Sequence, residues 1–257
     1  MAAVTVDGRV ARASAWNAPQ GQGLLAVDYT FDGGAHYFNG QGKLSPAAAY
    51  QKQELYGYVE YGVTDWLMAI VKPDLATIAA TAPDGSMHRY SGLGTSEVAA
   101  QLRVLAYGPA VLAVAGGFRL PATTAQNNYA LIGNTSRDAD LRALGGVSLP
   151  FGPFPIFVDL EAGYRFRSGG APAEWHGDVT LGARPLPRLL ILLQSFNTIP
   201  EGAGTDWFPA SRYSKLGLSF VYDLSAAWSV EIGAFETIGG TDALRERGIT
   251  TGLWHRF

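Results

Sequence analysis

The chain has 257 residues, with 19 Lys and Arg against 22 Asp and Glu, 32 glycines and no cysteine. The missing cysteines exclude disulfides, thiolate nucleophiles and cysteine-bound metal, and a formal charge of −3 leaves no basic excess to attract nucleic acid. Abundant glycine together with 12 % aromatic residues fits an all-β protein with many turns.

Met1 is followed at once by small and polar residues, so a processed mature chain is expected. Residues 1–21 alternate only weakly, at Val4, Val6 and Val10, before Pro19 and a pair of glycines. From residue 22 onward the pattern changes. Twelve segments alternate apolar and polar residues with period two: 22–32, 50–62, 66–79, 94–107, 110–121, 137–149, 155–167, 173–184, 188–199, 211–223, 227–238 and 248–257. The clearest is "IFVDLEAGYRFR" at 156–167. Ile156, Val158, Leu160, Ala162, Tyr164 and Phe166 share one face, and Phe157, Asp159, Glu161, Gly163, Arg165 and Arg167 share the other. Runs of this length exceed the usual strand of about 5 to 6 residues and match a tilted membrane-spanning strand of about 9 to 11. The longest run of Leu and Ile, Leu189–Leu193, is far too short for a spanning helix.

The connections alternate in length. Short ones fall at 62–65, 107–109, 150–154, 185–187 and 224–227. Longer ones fall at 33–49, 80–93, 122–136, 200–210 and 239–247, with an intermediate one at 168–172. Short turns at one end and long loops at the other, with an even strand number that leaves no open edge, predict a 12-stranded antiparallel transmembrane β-barrel. Aromatics gather at both strand ends: Trp66, Tyr107, Phe151, Phe154, Tyr222 and Trp228 beside short turns, and Tyr29, Phe31, Tyr164, Phe166 and Trp175 toward the loops. A soluble sandwich or lipocalin-like barrel would also alternate, but would seldom use twelve long strands with aromatics at their ends. The chain therefore divides into residues 1–21, either a small plug or a periplasmic tail, and a barrel over 22–257, with both termini on the short-turn, periplasmic side.

The last residues, "GLWHRF", resemble the terminal signal of bacterial outer-membrane proteins, which end in Phe with apolar residues at alternate positions before it; His255 departs from that pattern. The resemblance implies that Phe257 is an assembly signal read by the barrel-assembly machinery. "ELYGYVEYGVTDWLMAIVKPDL" at 54–75 and "GLGTSEVAAQLRVL" at 92–105 are similar to small outer-membrane proteins grouped with the transporters of the meta-pathway of phenol degradation. That resemblance covers roughly the first half of the chain and its C-terminus. Its motifs describe barrel hairpins rather than a binding site, so it implies the outer membrane of a Gram-negative bacterium and a transport role without naming a solute.

With the apolar faces toward lipid, many charges point into the lumen. The hairpin turns place Asp140 opposite Arg165, Asp138 opposite Arg167 and Glu97 opposite Arg119, all toward the extracellular end, where a belt of charge would form a constriction. Two readings stay open: an ion-paired network that fills and closes the lumen, or a polar conduit, because twelve strands lie between filled and open barrels. Reversing Arg165 to Glu is expected to leave the fold intact and move selectivity toward cations. A second constellation lies in three expected extracellular loops: Tyr37 and Phe38, His88 and Tyr90, and Trp207 and Phe208. These aromatics would form a mouth for a small apolar or aromatic solute, or else pack within their own loops or contact lipopolysaccharide. None of the four histidines is read as half of a hydrolytic Ser–His pair, and no metal motif is present. The expectation is a channel for passive passage of a small solute, without enzyme activity or cofactor; the alternative is a structural or surface-interaction barrel with a closed lumen.

Overall fold

The computed structural model describes residues 14–151 and 154–257. The strand segments are β1 (Gly23–Phe38), β2 (Leu44–Gly62), β3 (Leu67–Lys72), β4 (Asp74–Thr81), β5 (Met87–Leu93), β6 (Ser96–Tyr107), β7 (Ala110–Leu120), β8 (Asp138–Phe151), β9 (Phe154–Arg167), β10 (Glu174–Leu186), β11 (Leu189–Pro200), β12 (Arg212–Asp223), β13 (Trp228–Thr241), β14 (Ala243–Leu244) and β15 (Arg247–Arg256). Each neighbouring pair is antiparallel, and β1 closes the sheet by pairing with both β2 and β15. β3 continues into β4 and β5 into β6, and β14 caps the last strand, so the segments form a closed barrel of twelve staves.

The interruptions have local causes. Pro73 has no N–H for the ladder and separates β3 from β4, while its carbonyl still accepts from Gly57 N at 2.8 Å. The neighbouring stave breaks at the same height: Gly94 N donates to the Asp74 carbonyl at 2.8 Å. At the opposite end Tyr107 pairs directly with Ala110, leaving a two-residue turn in which Gly108 takes φ +56°, a conformation that glycine adopts without strain.

The faces separate cleanly. On β9, Leu160 is 52 % exposed on the outside while its neighbour Asp159 is 3 % exposed inside. Val27, Leu55, Val98, Leu181, Leu218 and Ile232 likewise lie exposed on the outer surface. Such a barrel is inverted relative to a soluble one, which would bury its apolar face. Phe257 exchanges both backbone bonds with Gly23, at 2.8 and 3.0 Å, and its ring stacks on His255 beside Trp228.

Three expected long loops are corrected. Residues 33–49, 80–93 and 239–247 largely continue the strands: β1 and β2 are joined by a turn at 39–43, β4 and β5 by one at 82–86, and β13 runs on to Thr241 with β14 at Ala243–Leu244 and β15 from Arg247. Tyr37, Phe38, His88 and Tyr90 therefore sit on strands. Above the apolar belt both faces of a strand meet water, so the alternation that marks a strand disappears there although the pairing does not. The long loops that remain are 121–137, which holds a 3-10 turn at Tyr129–Leu131, and 201–211.

Candidate functional site

One half of the lumen wall is an ion-pair network. The β8–β9 register sets Asp138 opposite Arg167 and Asp140 opposite Arg165, and β6–β7 sets Glu97 opposite Arg119. Arg165 bridges Asp140 at 2.8 Å and Glu174 at 2.7 Å. Arg142 holds Asp140 at 2.6 Å and Glu161 at 3.2 Å, Lys72 holds Glu97 at 2.8 Å, and Arg119 reaches Asp138 at 3.5 Å. Glu174 is a member the sequence reading missed. It shares a strand face with His176 and Asp178, which was the available signal, but it stands at the first position of β10. A cavity of about 20 Å³ lies beside Glu97, Asp140, Arg142 and Glu161 of this network, with Gln101 and Leu144, room for about one water.

An apolar floor crosses the barrel at the level of the short turns. Leu24, Met68, Phe157, Leu190, Val221 and Trp254 point inward from separate strands and are buried together. The chain preceding β1 completes this layer. Trp16 packs edge-on against Phe157 with ring centroids 5.9 Å apart, and Ala15 is buried against Val111, Ala113 and Leu144. Polar groups fix the segment in place: Ala15 N donates to Asp159 Oδ1 at 2.9 Å, Gln101 Nε2 donates to the Ser14 carbonyl at 2.9 Å, and Ala18 N meets Met68 Sδ at 3.3 Å. Residues 14–18 thus lie inside the barrel. Of the N-terminal segment 1–21, residues 1–13 lie outside the described residues.

Above the floor, on the side away from the ion-pair network, lies a vestibule of about 730 Å³ that reaches from Trp254 up to Ala243 and Ser211. Its wall carries Lys52 paired with Glu54 at 2.9 Å, and Lys215 paired with Glu246. The Lys215 ammonium also stands 5.1 Å from the centroid of Tyr213 and 5.7 Å from that of Phe235.

Two loops fold over the opposite half. Phe208, 1 % exposed, drops onto the network with the Arg167 guanidinium 5.7 Å from its ring, above a pocket of about 280 Å³ that also touches Arg119, Asp138 and Arg165. Trp207 donates from Nε1 to Thr135 Oγ1 at 2.8 Å, tying the two loops together. Tyr90 donates to the Leu93 carbonyl at 2.6 Å and lines a pocket of about 160 Å³ with Lys52 and Asp74. His88 faces Tyr129 at 5.9 Å. Tyr37 and Phe38 pair with Leu244 and Ala243 on β14. The six aromatics therefore form no single mouth: Tyr90 and Phe208 face these cavities, and Tyr37, Phe38, His88 and Trp207 do not line them.

One serine–histidine pair is present that the sequence reading passed over. Ser86 stands two residues before His88, and its Oγ lies 3.0 Å from His88 Nε2. The Ser86 hydroxyl donates instead to Asp84 Oδ1 at 2.6 Å, and this bond with a second from Ser86 N holds the Asp84 carboxyl below its usual range. The hydroxyl hydrogen is thus directed at the carboxylate and away from the imidazole that would have to accept it in a Ser–His nucleophile, and Ser86 sits on the turn at 82–86.

No family model and no curated protein matches the sequence. The fold is similar to solved outer-membrane barrels. An outer membrane channel from Pseudomonas putida F1 superposes with a TM-score of 0.72 at 12 % identity, over 96 % of this chain and 100 % of that one. The NanC porin gives 0.58 at 7 % identity, over 90 % and 98 %. The translocator domain of the autotransporter NalP from Neisseria meningitidis gives 0.55 at 12 % identity, over 91 % and 88 %.

Proposed function

We propose that this chain is an outer-membrane channel of a Gram-negative bacterium, with both termini in the periplasm, through which a small solute passes passively. The observation that carries the reading is the vestibule: a barrel of twelve staves leaves about 730 Å³ inside itself instead of filling its lumen with side chains. The similarity in fold to a Pseudomonas putida outer membrane channel and to porins supports it. In this reading the solute enters from the long-loop end. Glu97, Arg119, Asp138, Asp140, Arg165 and Arg167 form the rigid wall of the constriction and set the field along it. Tyr90 and Phe208 border the entrance. Tyr37, Phe38, His88 and Trp207 shape the rim, where Arg89, Arg137, Arg212 and Arg247 are exposed and suit lipopolysaccharide phosphates. Residues 14–18 plug the periplasmic end, and Phe257 on the closing strand is the feature the barrel-assembly machinery reads. The sequence resemblance to transporters grouped with phenol degradation agrees with a transport role.

The apolar floor favours a second reading, a barrel whose lumen stays shut and whose role lies at its surface. Planar-bilayer recording separates the two. A channel gives discrete current steps, and a folded protein that never conducts would replace the first reading with the second.

Two predictions test the membrane placement. A closed barrel has every ladder bond satisfied internally and resists SDS at room temperature. Unboiled protein should migrate differently from boiled protein and give a β-type circular dichroism spectrum in detergent; a folded monomer that stays in solution without detergent would sink the assignment. Leu160→Arg should destabilise the barrel by about 2 to 4 kcal/mol in lipid unfolding experiments, because it sets a charge against hydrocarbon. Glu161→Gln should cost much less, since the amide oxygen can still accept from Arg142, which lies 3.2 Å from Glu161 Oε2. The reverse order would invert the faces.

A further inference from the structure

Among the described residues, the lining of the vestibule holds more negative than positive groups. Five carboxylates line it, from Asp28, Asp32, Glu54, Glu231 and Glu246, against the ammonium groups of Lys52, Lys72 and Lys215. Most are engaged. Lys52 holds Glu54, Lys215 holds Glu246, Lys72 is bonded to Glu97, its partner on the neighbouring strand, and Glu231 accepts the Trp254 indole N–H at 3.1 Å. Asp28 has a partner as well. Asp32 is the exception. It is 4 % exposed, and its Oδ1 has no hydrogen-bond partner. In the group formed by Asp32, Glu54, Glu246, Lys52 and Lys215, three carboxylates face two ammonium ions, so one negative charge is left over.

A buried carboxylate without a donor is costly and calls for a reason. Its surroundings supply one. Gly248, opposite Asp32 on β15, has no side chain, and the Phe235 ring occupies the space where one would lie: a Cβ at Gly248 would stand 2.6 Å from the ring and 2.8 Å from the Asp32 Cβ. Tyr50 and Tyr213 line the same cavity, and Tyr213 and Phe235 already accept one ammonium on their faces, that of Lys215. A metal ion would need several oxygen ligands, whereas one uncommitted carboxylate beside aromatic rings suits a single charge on an organic body. The cavity volume also lies in the range of small-molecule sites, about 300 to 1,000 Å³.

We propose that Asp32 anchors a binding site for a monovalent organic ammonium ion, with Phe235, Tyr213 and Tyr50 flanking its apolar part. The proposal names a solute class for the channel and rests on that reading only for the route of entry. The probe is benzylammonium chloride, titrated by calorimetry against the full chain in detergent, with benzyl alcohol as its neutral analogue. The wild-type protein should bind benzylammonium at least tenfold more tightly than benzyl alcohol. Asp32→Asn should remove that preference while keeping heat-modifiable migration in SDS, and Phe235→Leu should weaken both ligands. Equal binding of the two ligands by the wild type, or no binding, overturns the site without any variant having to fold; so does a folded Asp32→Asn protein that keeps the preference. Block of single-channel current by benzylammonium from the long-loop side is the parallel measurement. A conducting protein that benzylammonium does not block refutes the site and leaves the channel standing, whereas a protein that never conducts yet binds benzylammonium through Asp32 keeps the site and refutes the channel.

Discussion

Removing residues 2–20 should raise the single-channel current of the reconstituted protein severalfold over that of the full chain, with the barrel still folded. The argument starts from what holds the floor together. The inward residues of that layer come from β1, β2, β3, β9, β11, β12 and β15, and Trp16, Ala15 and Ala18 pack against the layer and its neighbours. None of these three belongs to the barrel wall. Their removal exposes Asp159, which accepts from Ala15 N, and Gln101, which donates to the Ser14 carbonyl, and water entering from the vestibule can satisfy both. The closed ladder from β1 through β15 keeps all its backbone bonds, so the truncated barrel should retain heat-modifiable migration in SDS. Trp16→Gly makes a smaller version of the same change, because it opens space against Phe157 and Gly146 while leaving the backbone anchors in place. An intermediate current is expected for it. A folded truncated barrel with the same current as the full chain would show that the barrier lies elsewhere, in the wall or under Phe208.

The parts of this arrangement that can be read from sequence are those where two solvents act on one strand. Asp140 meets Arg165 and Glu97 meets Arg119 because a one-residue slip would turn Leu141 or Val98 inward and a charge outward, which fixes the register through turns as short as 108–109. Legibility fails where that contrast vanishes. "GGAHYF" at 33–38 extends β1 beyond the apolar belt, where water meets both faces and no alternation is written. At "LLILL", 189–193, the strand is legible within 188–199 and matches β11, but its alternation is weak because Leu190 and Leu192 face the floor while Leu193 faces outward, so both sides are apolar. Trp16 and Phe208 reach the lumen from segments with no periodicity, and their burial is decided by the cavities they enter. Asp32 looks like any other inward acid in the sequence. Only the pairing of Lys52 with Glu54 and of Lys215 with Glu246 leaves it without a partner.

The charged wall also changes what reversing Arg165 should do. From spacing alone, Arg165→Glu is a selectivity change with the fold intact. In the structure Arg165 is buried between Asp140 at 2.8 Å and Glu174 at 2.7 Å, so the reversal sets three carboxylates together. Breaking a buried pair from one side typically costs about 3 to 5 kcal/mol, and the new like charge adds to that, offset in part by Arg142 beside Asp140 and Arg167 beside Glu174. Arg165→Glu should therefore lower the urea midpoint of the detergent-folded barrel sharply. Molecules that still insert should shift reversal potential toward cations, because the wall gains two negative charges. Adding Asp140→Asn and Glu174→Gln to Arg165→Glu restores the net charge of the wall and removes both repulsions. The triple variant should recover most of the stability and return selectivity to that of the wild type. If Arg165→Glu alone unfolds at the wild-type midpoint, vestibule water screens the wall and its ion pairs do not hold the barrel's shape. If the triple variant regains stability but keeps the cation preference, the selectivity is set outside this wall.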